Sequence, residues 1–272
     1  MANQKPQTPP MKTILLNTLI AALLVVSCKT DKQNNTSTDT APEQIEKTTP
    51  MDANQESLKS LLDAKKEASQ LKTDATTKKV FKEGIESVME SGVLENTLKV
   101  GDTAPNFKLT NALGETVDLY EYLKKGKVVL TWYRGGWCPY CNITLQQLQQ
   151  ELPNFKTNGA QLIALTPELP DKSLNTSEKH DLKFEVLSDV GNKVAQAYGI
   201  VFKLTDELAE IYAKFFNIMD FNGDASNELP LAATYIIDQD GKIIYAFLDA
   251  DYRNRAEPSE LTEVLKKTYT LK

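Results

Sequence analysis

The stretch Val128-Val-Leu-Thr-Trp-Tyr-Arg-Gly-Gly-Trp-Cys138-Pro-Tyr-Cys141 decides how the rest of the chain is read. It reads as a buried strand, a glycine turn and two cysteines three residues apart at the start of a helix. The run Val128 to Tyr133 is apolar without alternation, as expected of a strand covered on both faces. A cysteine at a helix N-terminus meets unpaired backbone N–H groups and the positive end of the helix dipole, and both favour thiolate over thiol. Cys138, which leads the pair, is therefore the expected nucleophile and the more exposed sulfur. Cys141 can close a disulfide without moving the fold. Gly135 and Gly136 give the turn access to strained dihedrals. A bridge across so short a loop restrains little of the unfolded chain, so stability alone is a weak reason for the pair.

Composition narrows the chemistry. A chain of 272 residues suits one domain with extensions, and 41% hydrophobic content supplies a core. A formal net charge of −6 argues against nucleic acid as a partner. Three cysteines and one histidine cannot complete a structural zinc site without carboxylates, so neither metal nor cofactor is expected. His180, in a polar stretch, receives no role. The arginines are Arg134, Arg253 and Arg255, among 31 basic residues that are otherwise lysine. An arginine kept in such a background points to a need for its planar fork. That reading is strongest for Arg134, four residues before Cys138; its alternative is a surface ion pair.

Downstream of the pair, a helix is expected from about Cys141 to Leu152, with Leu145, Leu148 and Leu152 on one face. Ala160–Leu165 and Phe184–Leu187 read as buried strands, Val190–Tyr198 as a helix stopped by Gly199, and Asp206–Phe216 as an amphipathic helix through Leu208, Ile211, Tyr212 and Phe215. Thr234–Ile237 and Ile243–Leu248 form a hairpin around Asp238-Gln-Asp-Gly241, and Pro258 opens a last helix. Upstream, Phe107–Leu109 and Val117–Leu119 flank Gly114 as a second hairpin. Leu58, Leu61, Leu62, Ala68 and Leu71 follow helical spacing, as do Phe81, Ile85, Val88 and Met89, with Gly92 as a stop.

The N-terminal segment reads as an address. Met11-Lys-Thr precedes an apolar run, Ile14 to Val26, about half the length of a membrane span, which suits a secretory signal peptide with Met11 as its start. Val25-Val26-Ser27-Cys28 resembles the bacterial lipobox. That resemblance implies diacylation of Cys28 and an exported envelope lipoprotein, on the periplasmic side of the membrane. Lys29 to Gln55 is polar with almost nothing apolar and cannot bury enough surface to order itself. It reads as a tether with a reach of about 25–30 Å.

Trp137-Cys138-Pro139-Tyr140-Cys141 resembles the active-site motif of thioredoxin-fold oxidoreductases. The wider frame resembles the peroxiredoxin family (alkyl hydroperoxide reductase/thiol-specific antioxidant). Gly101-Asp-Thr-Ala-Pro-Asn-Phe-Lys-Leu109 is similar to its opening strand, and Leu187-Ser-Asp-Val-Gly and Ala197-Tyr-Gly-Ile200 to its middle. Thr234-Tyr-Ile-Ile-Asp-Gln-Asp-Gly-Lys242 is similar to its late hairpin. A subgroup with Tyr-Arg-Gly-x-Trp-Cys-Pro-Tyr-Cys also carries Asp-Tyr-x-x-Arg-x-Glu-Pro near its end, matched here by Asp251-Tyr-Arg-Asn-Arg-Ala-Glu-Pro258. The resemblance implies an α/β, thioredoxin-like fold, a central mixed β-sheet flanked by helices. The chain then divides into a signal peptide with lipobox (1–28), a tether (29–55), a helical extension (56–98) and the thioredoxin-like domain (99–272).

The resemblance also implies a thiol-based oxidoreductase. Its first form is an antioxidant that reduces hydroperoxides through a Cys138/Cys141 dithiol–disulfide cycle recharged by thioredoxin or a similar dithiol. Its second is an exported thiol–disulfide reductase acting on proteins. A copper-binding module is a third, against which stand the Cys-x-x-Cys spacing and a histidine placed in a loop. Laid over the peroxiredoxin motif Pro-x-x-x-Thr/Ser-x-x-Cys, Cys141 takes the peroxidatic position; laid over thioredoxin, Cys138 attacks and Cys141 resolves. Arg134 is expected to stabilise a thiolate or hold a peroxide oxygen. Trp137, Pro139 and Tyr140 are expected to contact a partner or to pack over the motif, with Pro139 tuning the redox potential. The second arginine usual in peroxiredoxins would fall at Ala232, where thioredoxins place a cis-proline; neither is present, and Pro230 is the nearest substitute. Asp251 and the stretch Arg253 to Glu257 are expected to pair with one another at the domain end.

Overall fold

The computed structural model describes residues 56–269, Ala112 excepted. The expected signal segment, lipidated Cys28 and tether lie outside the described residues. From residue 56 on, the chain belongs to one compact unit, so the expected helical extension is part of the same body as the domain that follows it.

The sheet is built around β3 (Lys127–Trp132), with β4 (Ala160–Thr166), β5 (Glu185–Ser188), β8 (Thr234–Ile237) and β9 (Ile243–Phe247) in the order β5-β4-β3-β8-β9. The first three strands run parallel, and β8 returns antiparallel to β3 with Leu130 opposite Tyr235. The sheet is therefore mixed, as the sequence led us to expect. Alternation along β3 sends Val128, Leu130 and Trp132 into one core with Tyr198, Tyr235 and Ile237. Val129 enters the opposite core with Leu148, Leu152, Phe155 and Leu261. Every residue of β3 is buried, which is why its sequence shows no polar face.

Helices cover both faces. The helix α5 (Pro139–Thr157) follows β3, and α10 (Pro258–Tyr269) packs beside it. The start of α5 is two residues earlier than expected, because Pro139 occupies its first turn, where a missing N–H costs nothing, and Cys138 is the N-cap. At the N-terminal end of the unit, α1 (Leu58–Lys72) and α2 (Ala75–Glu90) are each capped by a side chain. Ser57 Oγ accepts from Ser60 N at 3.2 Å and Asp74 Oδ1 from Thr77 N at 2.9 Å. A single turn, α3 (Val93–Asn96), follows Gly92, and the expected hairpin forms as β1 (Lys108–Thr110) and β2 (Thr116–Asp118) before α4 (Leu119–Leu123).

Several elements differ from expectation. The polar stretch before His180 is a helix, α6 (Pro170–Lys179), and α7 (Lys193–Ala197) is short. A small hairpin of β6 (Val201–Lys203) and β7 (Glu228–Pro230) brackets α8 (Asp206–Ala213) and α9 (Ile218–Asn222). Pro230 ends β7, and no described peptide bond is cis, so it does not take the place of the absent cis-proline. The apolar stripes that helical spacing marked along the first helices and the Asp206–Phe216 segment are only partly covered. Leu58 and Leu62 are buried, but Leu71 is 88% exposed, Met89 52% and Phe215 74%.

Candidate active site

The two cysteines lie at the C-terminal end of β3 and the first turn of α5, both as free thiols. Cys138 N donates to Gly135 O at 3.0 Å and Asn142 N to Cys138 O at 3.1 Å, which fixes the turn that carries the sulfur to the helix end. A Cβ on Gly135 (φ +155°) would overlap the Trp137 indole, and one on Gly136 would overlap the Thr176 hydroxyl. The glycine pair is thus required by close packing on both sides of the turn.

Both sulfurs are buried, against the expectation that Cys138 is exposed: each cysteine is 0% accessible. The reason is α1. Leu58 and Leu62 pack into one cluster with Cys138, Cys141, Tyr133, Tyr140 and Leu145, so the first helix lies over the motif.

An arginine serves each sulfur. Arg134 Nη2 donates to Cys138 Sγ at 3.4 Å and Nη1 to Tyr212 Oη at 3.0 Å. The guanidinium is buried in an aromatic box, 3.7 Å from the Tyr252 ring centre and 5.1 Å from that of Trp137. This removes the surface ion pair from consideration. Arg255 Nη2 donates to Cys141 Sγ at 3.5 Å from the segment before α10. Sequence reasoning missed Arg255, although the scarcity of arginine that marked Arg134 applied to it equally.

These charges separate the two thiols. Burial alone would raise the Cys138 thiol, but a hydrogen bond from Cys141 and the charges of Arg134 and Arg255 outweigh it and hold Cys138 well below the ordinary thiol range. Burial raises Cys141, and its bond to the Cys138 sulfur and that sulfur's negative charge raise it further; the arginines only moderate this. The pair is arranged as thiolate at Cys138 and thiol at Cys141.

The Asp251–Pro258 motif is corrected in detail. Asp251 and Arg253 do pair, through two bonds of 2.7 Å. Glu257 does not join them. Its carboxylate accepts from Leu58 N at 3.0 Å and Lys59 N at 3.1 Å, closing the N-terminus of α1. The motif therefore locks α1 in place, stacks Tyr252 under Arg134 and brings Arg255 to Cys141.

Trp137 stacks on Phe216 with centres 4.4 Å apart, and Tyr140 is buried edge-on to Tyr252 at 5.7 Å, so both pack over the motif; Pro139 is exposed. Trp132 and Tyr133 are core.

One further residue belongs to the site. Glu168 follows β4, is fully buried and accepts from Gly136 N at 2.9 Å, while its Oε2 has no hydrogen-bond partner. Burial pushes its carboxyl up to about 7, against the pull of Gly136, Tyr133 and Thr166, and the negative charge of Cys138 adds to the rise. Its sequence signal was its place just past the carboxyl end of a parallel strand, where sites form in open α/β sheets. Among the described residues no cluster of His, Cys, Asp and Glu is arranged to hold a metal ion.

Fold and dithiol together define a thiol-based oxidoreductase with a thioredoxin-like architecture. The AhpC/TSA family matches residues 100–246, more than half of the chain, and the chain belongs to that family. It is similar to the thiol-disulfide oxidoreductase ResA of Bacillus thuringiensis subsp. konkukian, with 27% identity over 174 residues, 64% of this chain and 80% of that protein. It is similar also to the peroxiredoxin Bcp of Escherichia coli, with 27% identity over 154 residues, 57% of this chain and 88% of that protein. Among solved structures, peroxidoxin BcpB from Mycobacterium tuberculosis superposes with a TM-score of 0.50 at 20% identity, over 62% of this chain and 97% of its own, a likeness of fold.

Proposed function

We propose that the protein is a peroxidase that reduces hydroperoxides with Cys138 as nucleophile and Cys141 as resolving thiol, and that a thioredoxin-type dithiol recharges it. The observation that carries this reading is the arginine on each fully buried sulfur. A small hydroperoxide needs a far smaller opening to reach such a sulfur than a protein disulfide does. Attack of the Cys138 thiolate on the outer peroxide oxygen breaks the O–O bond, leaves Cys138 as a sulfenic acid and releases an alkoxide that takes up a proton. Arg134 is placed to hold the developing negative charge. Cys141, losing its proton, attacks the sulfenic sulfur, expels the oxygen as water and forms the disulfide. Glu168, near half-protonated at neutrality, is the buried group able to give and take these protons. An external dithiol then restores both thiols by exchange.

The second reading, an exported thiol–disulfide reductase, is favoured by the Cys-x-x-Cys spacing and by the likeness to ResA. Single-turnover oxidation of the reduced protein by hydrogen peroxide and an alkyl hydroperoxide separates the two, followed by tryptophan fluorescence on wild type, Cys138→Ser and Cys141→Ser. A rate far above that of a free thiol, lost in Cys138→Ser and kept in Cys141→Ser, is expected. A rate equal to that of a free thiol, together with fast exchange against a protein disulfide, would leave the reductase. The proposal extends to placement in the bacterial envelope on a diacylated Cys28. Loss of membrane partitioning in Cys28→Ser is the expected result; retention would refute that anchor.

A further inference from the structure

Arg134 is a buried cation without a carboxylate. It is 3% exposed, and among the described residues no acidic side chain lies within the 4.0 Å of an ion pair. A charge taken out of water needs a neutralising partner. Here that partner is the Cys138 sulfur, 3.4 Å from Nη2. The second arginine of the site, Arg255, is only half-buried and can keep water. The compensation of Arg134 therefore lasts only while Cys138 is a thiolate.

The dithiol–disulfide cycle removes that partner. Oxidation takes two electrons from the pair, which go to the hydroperoxide or disulfide being reduced. The Cys141 proton and one from solvent go to the two oxygens or sulfurs released, and the Cys138 charge disappears into a neutral S–S bond. The guanidinium keeps its charge. Its edge suits a replacement, because Nε and Nη2 form one side of a planar fork. Nη2 is on the sulfur, and Nε is buried without a hydrogen-bond partner. Tyr212 Oη accepts from Nη1 at 3.0 Å and still has its own O–H to donate. Arg134 and Tyr212 both line a groove of about 1010 Å³ between α1–α2 and the sheet domain. Lys65, Lys66, Lys72 and Lys78 stand along it, while the acidic residues of its lining are engaged. Asp74 caps α2, Glu86 pairs with Lys82 at 2.7 Å, and Asp251 pairs with Arg253. The approach to Arg134 thus favours an anion, on a protein whose formal net charge is −6.

We propose that oxidation turns this edge into an anion site: in the disulfide form the fork of Arg134, with the Tyr212 hydroxyl, holds a small planar oxyanion of single charge. One charge replaces one thiolate, and two coplanar oxygens match Nε and Nη2. In the reduced form the thiolate occupies the same edge and excludes the anion. The site rests only on the Cys138–Cys141 disulfide, which the peroxidase and reductase readings share. An anion that binds one redox form also poises the pair. Binding to the disulfide stabilises it and lowers the midpoint potential.

Nitrate is the probe, exchanged for chloride at constant ionic strength in the full chain. The midpoint potential of the pair, read by thiol labelling in dithiothreitol buffers, is expected to fall by about 30 mV for each tenfold rise in nitrate above its dissociation constant. The Arg134 Nε–H resonance reports binding directly, in a chain with three arginines. It is expected to shift saturably with nitrate in the oxidised protein and at least about tenfold more weakly in the reduced one. Arg134→Gln should lose the nitrate dependence of the potential. A potential indifferent to nitrate, or a resonance that responds equally in both redox forms, would overturn the proposal without recourse to any variant. Dependence that survives in Arg134→Gln would assign the effect to the lysines and overturn it too. So would loss of amide protection over residues 58–72 on oxidation with no response to nitrate, since water would then have taken the place of the thiolate. Failure of Cys138 and Cys141 to form a disulfide at all would refute the shared cycle, an outcome that thiol counting separates from a disulfide that binds no anion.

Discussion

Arg255 and Cys141 stand 114 residues apart in the chain, and the arginine's Nη2 reaches the cysteine's sulfur at 3.5 Å. With Arg134 on Cys138, this gives the dithiol one guanidinium per sulfur and separates the two steps of the cycle. A charge-assisted hydrogen bond is worth roughly 1.5–3 kcal/mol, about ten- to a hundredfold in rate.

Arg134→Gln should therefore slow the first oxidation about ten- to a hundredfold at neutral pH and raise the Cys138 thiol, seen as a later rise of thiolate absorbance with pH. An unchanged titration would mean that the guanidinium only packs against Tyr252.

Arg255→Gln acts mainly on the second step. Arg255 lowers the thiol of Cys141, so without it Cys141 is harder to ionise and the sulfenic acid persists. Trapping of the sulfenic acid by dimedone should rise about tenfold, with a smaller loss in the first step. Equal slowing of both steps would count against this division.

Much of this arrangement was legible in the sequence. The unbroken apolar run Val128–Tyr133, the glycine pair and the cysteine spacing led to β3, the turn and α5, because burial on both faces and helix-end chemistry leave marks in local sequence. Other elements left none. The helix α6 has one large apolar residue, Leu174, and so no periodicity; β6 and β7 have three residues each, too few to alternate. Arg255, Tyr252 and Glu168 join the cysteines only through tertiary contact. The same holds for α1: helical spacing predicts the helix, but not that Leu58 and Leu62 lie over the sulfurs while Leu71 faces solvent.

Glu168 gives the protein a pH dependence of known sign. Its carboxyl stands at about 7 in the fold against an ordinary 4.5. Between those values the folded protein holds a proton that the unfolded chain has released. The stabilisation from this group is full below pH 4.5, falls as pH rises to about 7 and is flat beyond. By linkage it amounts to about 3 kcal/mol. Denaturant unfolding of reduced Glu168→Gln, compared with wild type at pH 5, 6 and 7, should show this slope removed. Parallel curves for the two proteins would place the titration elsewhere.

Glu257 tests whether α1 is the cover of the dithiol. Its carboxylate meets two backbone N–H groups at the start of α1, beside the Ser57 cap. Losing such a bond costs about 1 kcal/mol of local stability, which multiplies the open population about fivefold. The helix places Leu58 and Leu62 in the buried cluster that holds both cysteines, so a bulky disulfide reagent is expected to wait for that opening. Glu257→Ala should raise the rate of modification of Cys138 by such a reagent about fivefold, with faster amide exchange confined to residues 58–72. The gain should be smaller for hydrogen peroxide, for which a smaller opening suffices. Equal acceleration for the two reagents would mean that the helix is not what shields the sulfur. Faster exchange with no gain in reactivity would mean that another element, Tyr252 with Arg134 above it, holds the site closed.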